Sequence, residues 1–141
     1  MDAYQKLFQK KLMNALGRHL LVEYYNCDPK TLTDIGAIED ILVGAARAAK
    51  AHIVDVVFHT FNPHGISGVV VVEESHLAIH TWPEHGFASV DIYTCGTSVK
   101  PWHAYKFLYK HLKAKHSTAM EIKRGVLNSD PRSRKKLLIP A

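Results

Sequence analysis

HIVDVVFHTFNPHGISGVVVVEESHLAIHTWPEHGFASVDIYTC, residues 52–95, decides the fold. His52–Phe61 is β-branched and aromatic, which suits a strand, and Asn62-Pro63-His64-Gly65 supplies turn residues. Ser67–Val72 and His76–Thr81 read as two further strands, separated only by the charged triplet Glu73-Glu74-Ser75. Phe87–Thr94 alternates apolar with polar residues and reads as a fourth. Four strands joined by connections this short must pair antiparallel, because a parallel pair needs a crossover of a dozen residues or more.

Outward from this block the periods change. Residues 18–26 form a strand rich in bulky apolar groups, followed by the turn-rich stretch CDPKTLTDIGA. Asp34 is placed to cap a helix over 37–50, where Ala, Ile and Leu favour that state. Pro101 suits the first turn of a second helix, WHAYKFLYKHLKAK, and residues 117–123 read as a last strand. In front of all this, Tyr4, Leu7, Phe8, Leu12 and Leu16 fall at helical spacing and predict an amphipathic extension over 1–16, ended by Gly17. Behind that extension the order is β-α-β-β-β-β-α-β. It predicts an α+β two-layer sandwich, a mostly antiparallel sheet covered on one face by two helices. The uncovered face is a candidate dimer surface, which accounts for an unalternating run such as Val69-Val70-Val71-Val72.

At 141 residues the chain is one domain, 1–141. Apolar residues make up 47% and charged residues 22%, a balance that excludes a disordered or collagen-like chain. No apolar run approaches the roughly 20 residues of a membrane span, and the first residues lack a signal peptide's apolar core. The expectation is a cytoplasmic protein with no membrane partner. Residues 121–141 hold six basic and two acidic side chains, +4 of the net +5. The body is therefore near neutral, which does not favour a nucleic-acid partner, and 125–141 reads as a basic, solvated tail. Cys27 and Cys95 are too few for a disulfide framework and are expected as free thiols.

Six of ten histidines lie between positions 52 and 85. Zinc wants three or four converging ligands, whereas His76 and His80, four apart on one strand, sit about 13 Å from each other. The pattern does not support a metal site. Two acids and a hydroxyl at Glu73-Glu74-Ser75, inside apolar strands, are either a solvated hairpin tip or chemistry. Cys95 is either a packed thiol or a participant.

The run Ser67–Glu84 (SGVVVVEESHLAIHTWPE), continued by Asp91-Ile92-Tyr93-Thr94-Cys95-Gly96 and reaching back to Gly17-Arg18-His19-Leu20 and Phe61-Asn62-Pro63-His64-Gly65, resembles the prokaryotic S-adenosylmethionine decarboxylase proenzymes. The resemblance covers roughly residues 17–124 in order and spacing. It implies a self-processing, pyruvoyl-dependent decarboxylase that makes the aminopropyl donor for spermidine and other polyamines. It implies cleavage between Glu74 and Ser75, leaving a β chain of residues 1–74 and an α chain of 75–141 whose first residue is a pyruvoyl group derived from Ser75. Ser67 matches the family's processing hydroxyl. His80 matches the base that takes the Ser75 α-proton, a task suited to imidazole near neutral pH. Cys95 matches the donor that returns a proton after carboxylate leaves the substrate's Schiff base.

Glu84 matches an acid that accepts from the ribose hydroxyls, and Phe61 matches an aromatic that stacks on adenine. Trp82 lies near them in sequence, and Glu23 is a further candidate for lining the site. The partners implied are the small-molecule substrate S-adenosylmethionine and a second copy in a homodimer. Two alternatives stand beside this reading: a pyruvoyl enzyme of the same family acting on arginine or ornithine, and a catalytically silent binding paralogue. Intact Ser75, His80 and Cys95 argue against the second.

Overall fold

The structure is a computed structural model, and it describes residues 2–3 and 15–127. The predicted N-terminal helix falls largely on residues outside that range, as does most of the basic tail. Ala15–Gly17 open a strand rather than close a helix, since they belong to β1 (Ala15–Tyr25). There Ala15 and Gly17 pair with Val126 and Arg124, so ladder hydrogen bonds override the helical spacing.

After β1 come α1 (Pro29–Thr33) and α2 (Ile35–Ala48). The turn expected at the start of this segment is the helix α1, because Asp28 caps it through the Lys30 N–H and Pro29 pre-sets its first residue. Asp34 caps α2 as its type predicts, accepting from the Ala37 N–H at 3.1 Å. The strands β2 (Ile53–Thr60), β3 (Ile66–Val72), β4 (Ser75–Trp82) and β5 (Phe87–Cys95) follow, with a single 3-10 turn, Pro83–His85, between the last two. The chain then forms α3 (Pro101–His111) and β6 (His116–Val126).

Among the described residues the six strands make one sheet in the order β2-β3-β4-β5-β1-β6. Each neighbouring pair is antiparallel, as short connections require. Alternation then sorts the side chains. Leu20, Val22, Tyr24, Ile66, Val70, Val72, Leu77, Ile79, Val90 and Ile92 point to one face and are buried with Leu32, Ile38 and Leu42 of the first two helices and Leu108 of α3. Burying each such side chain contributes roughly 1.5–3 kcal/mol before ordering costs. Among the described residues the opposite face carries no helix. On it lie His19, Leu21, Glu23 and Tyr25 of β1, Ser67, Val69 and Val71 of β3, His76, Ala78, His80 and Trp82 of β4, and Ser89, Asp91, Tyr93 and Cys95 of β5, all incompletely buried. The two-layer α+β sandwich is therefore as the sequence predicts, and one sheet face stays open. No helix of the described residues is long and apolar enough to cross a membrane.

Candidate active site

The β3–β4 hairpin carries most of the sequence-predicted site residues, at its two opposite ends. At the tip, Glu73 and Glu74 turn the chain into Ser75. Ser75 has φ +142°, a backbone state that side-chain-bearing residues rarely adopt, and such a residue costs on the order of 1–3 kcal/mol. The carbonyl of Glu74, which belongs to the Glu74–Ser75 peptide, accepts from the main-chain N–H of Cys95 at 2.7 Å. Strain and a polarising donor thus meet on one peptide bond. The Glu74 side chain is also held. One carboxylate oxygen accepts from the His52 main-chain N–H at 3.1 Å, and the other lies 2.5 Å from His52 Nδ1. Burial opposes ionisation of Glu74, but these bonds from His52 outweigh it and hold the carboxyl below its ordinary range. Reciprocally, the hydrogen bond to Glu74, then its charge and that of Glu73, raise the His52 imidazole. Cys95 is exposed beside this tip, and Cys27 is buried, its thiol pushed up to about 11 by burial. Both are free thiols, as expected.

At the other end of the hairpin Ser67 and His80 are register partners, and Ser67 Oγ shares a hydrogen bond with His80 Nδ1 at 2.7 Å. Next to them stands a row of rings. His80 adjoins Trp82, Trp82 packs on Phe87 at 5.4 Å, and Phe87 packs on Tyr25 at 5.4 Å. Tyr25, Trp82, His85 and Phe87 line a groove of about 420 Å³. A second cleft, of about 550 Å³, shares His85 with it and is lined by the exposed Glu84 together with Lys113 and Lys115. Buried Thr81 fixes this end, accepting from the Ile66 N–H and donating to the Leu32 carbonyl, both at 3.0 Å. Gly86 takes φ +58° to end the turn that presents Glu84. Phe61 follows β2 at the same end. It is 49% exposed and meets the His59 ring edge-on.

The open face between the two ends is polar. Arg124 Nη1 lies 3.1 Å from His19 Nδ1. A guanidinium can only donate, so Nδ1 accepts and the proton sits on Nε2. That atom is buried without a hydrogen-bond partner, 3.5 Å from Asp91. Burial, then the Asp91 charge, raise the Glu23 carboxyl above its ordinary range.

The structure thus brings together Glu74, Ser75 and Cys95 at one end, and Ser67, His80, Trp82, Glu84 and Phe61 at the other. Ser75 and His80 are five positions apart on one strand, roughly 17 Å at the usual rise, so one protomer does not bring them into contact. Three features carry no sequence signal of their own. One is the Cys95 main-chain donor, since a backbone group leaves no residue-type trace. Another is the His52 contact, which depends on how β2 starts. The third is the ring row Phe87–Tyr25, whose members lie far apart in sequence. Among the described residues, His52, Glu73 and Glu74 are one group that could converge on a metal, with ligand atoms within 4.8 Å of one another. The His52 and Glu74 atoms already engage each other there.

Residues 18–125 match the family model described as S-adenosylmethionine decarboxylase. Over 114 residues, 81% of this chain and 92% of the relative, the sequence is 57% identical to the S-adenosylmethionine decarboxylase proenzyme of Caldanaerobacter subterraneus subsp. tengcongensis. It is also 57% identical, over the same shares, to the proenzyme of that name from Acetivibrio thermocellus. In three dimensions the chain superposes on the crystal structure of the adenosylmethionine decarboxylase from Aquifex aeolicus with a TM-score of 0.77 and 35% identity, covering 83% of this chain and 97% of that one.

Proposed function

The chain belongs to the S-adenosylmethionine decarboxylase family, and from that premise we propose that it cuts itself at Glu74–Ser75 and then decarboxylates S-adenosylmethionine through a pyruvoyl group derived from Ser75. The observation that carries the proposal is the state of that one peptide bond: strained at Ser75 and polarised at the Glu74 carbonyl by the Cys95 N–H.

Cleavage follows from these parts. Ser75 Oγ adds to the Glu74 carbonyl carbon, and the oxygen that becomes negative already faces a main-chain donor. The C–N bond breaks, the hydroxyl proton passes to the freed amine, and Glu74 is left as an ester on Ser75. Removal of the Ser75 α-proton expels the Glu74 carboxylate, and water releases ammonia from the remaining dehydroalanine, leaving a pyruvoyl end. An imidazole suits the α-proton step, and His80, oriented by its hydrogen bond to Ser67, is the base proposed for it. The residues at the tip therefore fit the group they are proposed to generate. Its ketone supplies an electron sink for the substrate's amine-bearing carbon. Cys95, exposed next to it, is placed to hand a proton to that carbon.

The distance between Ser75 and His80 supports a homodimer. A twofold axis crossing the open face near Ala78, midway along β4, would lay the tip of one protomer against the Ser67–His80 end of its partner, twice over. Val57 and Met120 on this face are 60% and 61% exposed, and Ile122 is exposed as well, so there is apolar area for a second copy to cover. At that shared site Glu84, Trp82 and Phe61 are the proposed contacts for ribose and adenine, which arginine or ornithine would leave unused. Production of a polyamine precursor is the proposed place of the reaction.

Intact mass spectrometry combined with CO₂ release from carboxyl-labelled substrates tests the reading. Fragments ending at Glu74 and beginning at a residue-75 end lighter than serine by one ammonia, with CO₂ from S-adenosylmethionine, are expected. A single uncut chain without a hydroxylamine-reactive carbonyl would contradict it.

A further inference from the structure

The uncleaved tip contains a contact that the chemistry above does not use. His52 precedes β2, and the β2–β3 register slips by one residue between Ile53 and Asp55. Such bulges re-aim the chain locally. Here the His52 carbonyl accepts from the Glu73 N–H at 2.9 Å, its N–H donates to one Glu74 carboxylate oxygen, and its Nδ1 meets the other. Glu74 is thereby gripped at its side chain by His52 and at its carbonyl by Cys95. We infer that His52 is a positioning residue for the self-cleavage: it clamps the Glu74 side chain and so holds the scissile carbonyl on the Cys95 N–H while Ser75 Oγ attacks. The inference rests on the proposed cleavage at Glu74–Ser75.

The clamp predicts a pH dependence with a definite sign. The groups facing the imidazole are Glu74 and Glu73 of the hairpin tip, and both favour its cationic form. Its titration lies above the ordinary histidine value, so the ionic clamp is complete below that value and is lost as pH rises through the raised one. Glu74 titrates below the ordinary carboxyl value, so its contribution is present above that value and is lost only as pH falls through the lowered one. Between the two limits the carboxylate and imidazolium coexist and cleavage is best supported. The His52 side chain is 69% exposed, so replacing it removes no core packing.

Cleavage of the full chain, followed by intact mass during cell-free synthesis across a pH series, reads the effect. His52→Ala should slow cleavage about tenfold, a modest figure for loosening a reacting group, with an unchanged Tm in a Ser75→Ala background. His52→Lys, which keeps a cation and the main-chain N–H, should restore the rate and remove the loss that the wild type shows above the raised imidazole value. A purely structural role would not move that profile. Equal rates and profiles for wild type and His52→Ala would overturn this inference alone. A wild type that never cleaves would overturn the proposed function and this inference with it.

Discussion

The two ends of the β3–β4 hairpin are built for different work. The Glu74–Ser75 end carries strain and a main-chain donor that meet on one peptide bond, with an exposed thiol on the donor residue. The Ser67–His80 end carries a hydrogen-bonded hydroxyl–imidazole pair, a row of mutually tilted rings and a carboxylate lining a cleft. On the proposed mechanism one end generates a reactive carbonyl, and the other takes a proton and holds a nucleoside. Neither suffices, and about 17 Å of strand holds them apart within a protomer. If the proposal holds, the difference teaches that a site complete in the sequence is divided in the fold, to be reunited by a symmetric pair of chains.

Substitutions that strike one end at a time test this division. The largest effect is expected from Ser75→Ala, which removes the attacking hydroxyl. No cut by mass spectrometry and no CO₂ should follow, with the fold retained by circular dichroism. Cys95→Ala separates the two acts at the same end. The donor to the Glu74 carbonyl is main chain, so cleavage should proceed near the wild-type rate. Turnover should fall roughly 10²–10⁴-fold with the loss of a proton donor. If Cys95→Ala turned over normally, Cys95 would be only an exposed thiol. A smaller effect belongs to the binding end. Glu84→Gln should leave cleavage intact and cost roughly 1.5–3 kcal/mol in kcat/KM for S-adenosylmethionine, the worth of hydrogen bonds to a charged group. An unchanged value, or a wild type that prefers arginine, would remove Glu84 from the substrate's contacts.

The architecture was legible from Ile53 to Cys95 because period-two alternation and two- to five-residue connections leave few topologies open. The cap at Asp34 and the first-turn proline Pro101 were equally plain, since each is a local residue preference. Ala15–Gly17 misled because Leu16 completes a helical spacing while its neighbours pair with Arg124 and Val126, residues more than a hundred positions away. For the site, the family resemblance singled out Ser75, His80 and Cys95 as candidates, but it said nothing of distance. The strand arithmetic that keeps His76 and His80 from sharing a metal also keeps His80 from reaching Ser75. Chain order alone does not say which copy's His80 serves which Ser75. The His52 clamp and the Cys95 N–H were illegible for a plainer reason: both rest on main-chain geometry that no side chain announces.

The proposed division of the site between two chains has one direct measurement, co-expression of two inactive variants. Ser75→Ala retains an intact Ser67–His80 end, and His80→Ala retains an intact Glu74–Ser75 end. If the ends combine across the dimer, each mixed pair holds one whole site. The His80→Ala chain should then be cut only in the presence of Ser75→Ala, and decarboxylation should reappear in the mixture at up to half of wild type per mixed dimer. If the His80→Ala chain stayed uncut and the mixture stayed inactive while mixed dimers were present, each protomer would have to complete its own site, and the separation of Ser75 from His80 would contradict the mechanism.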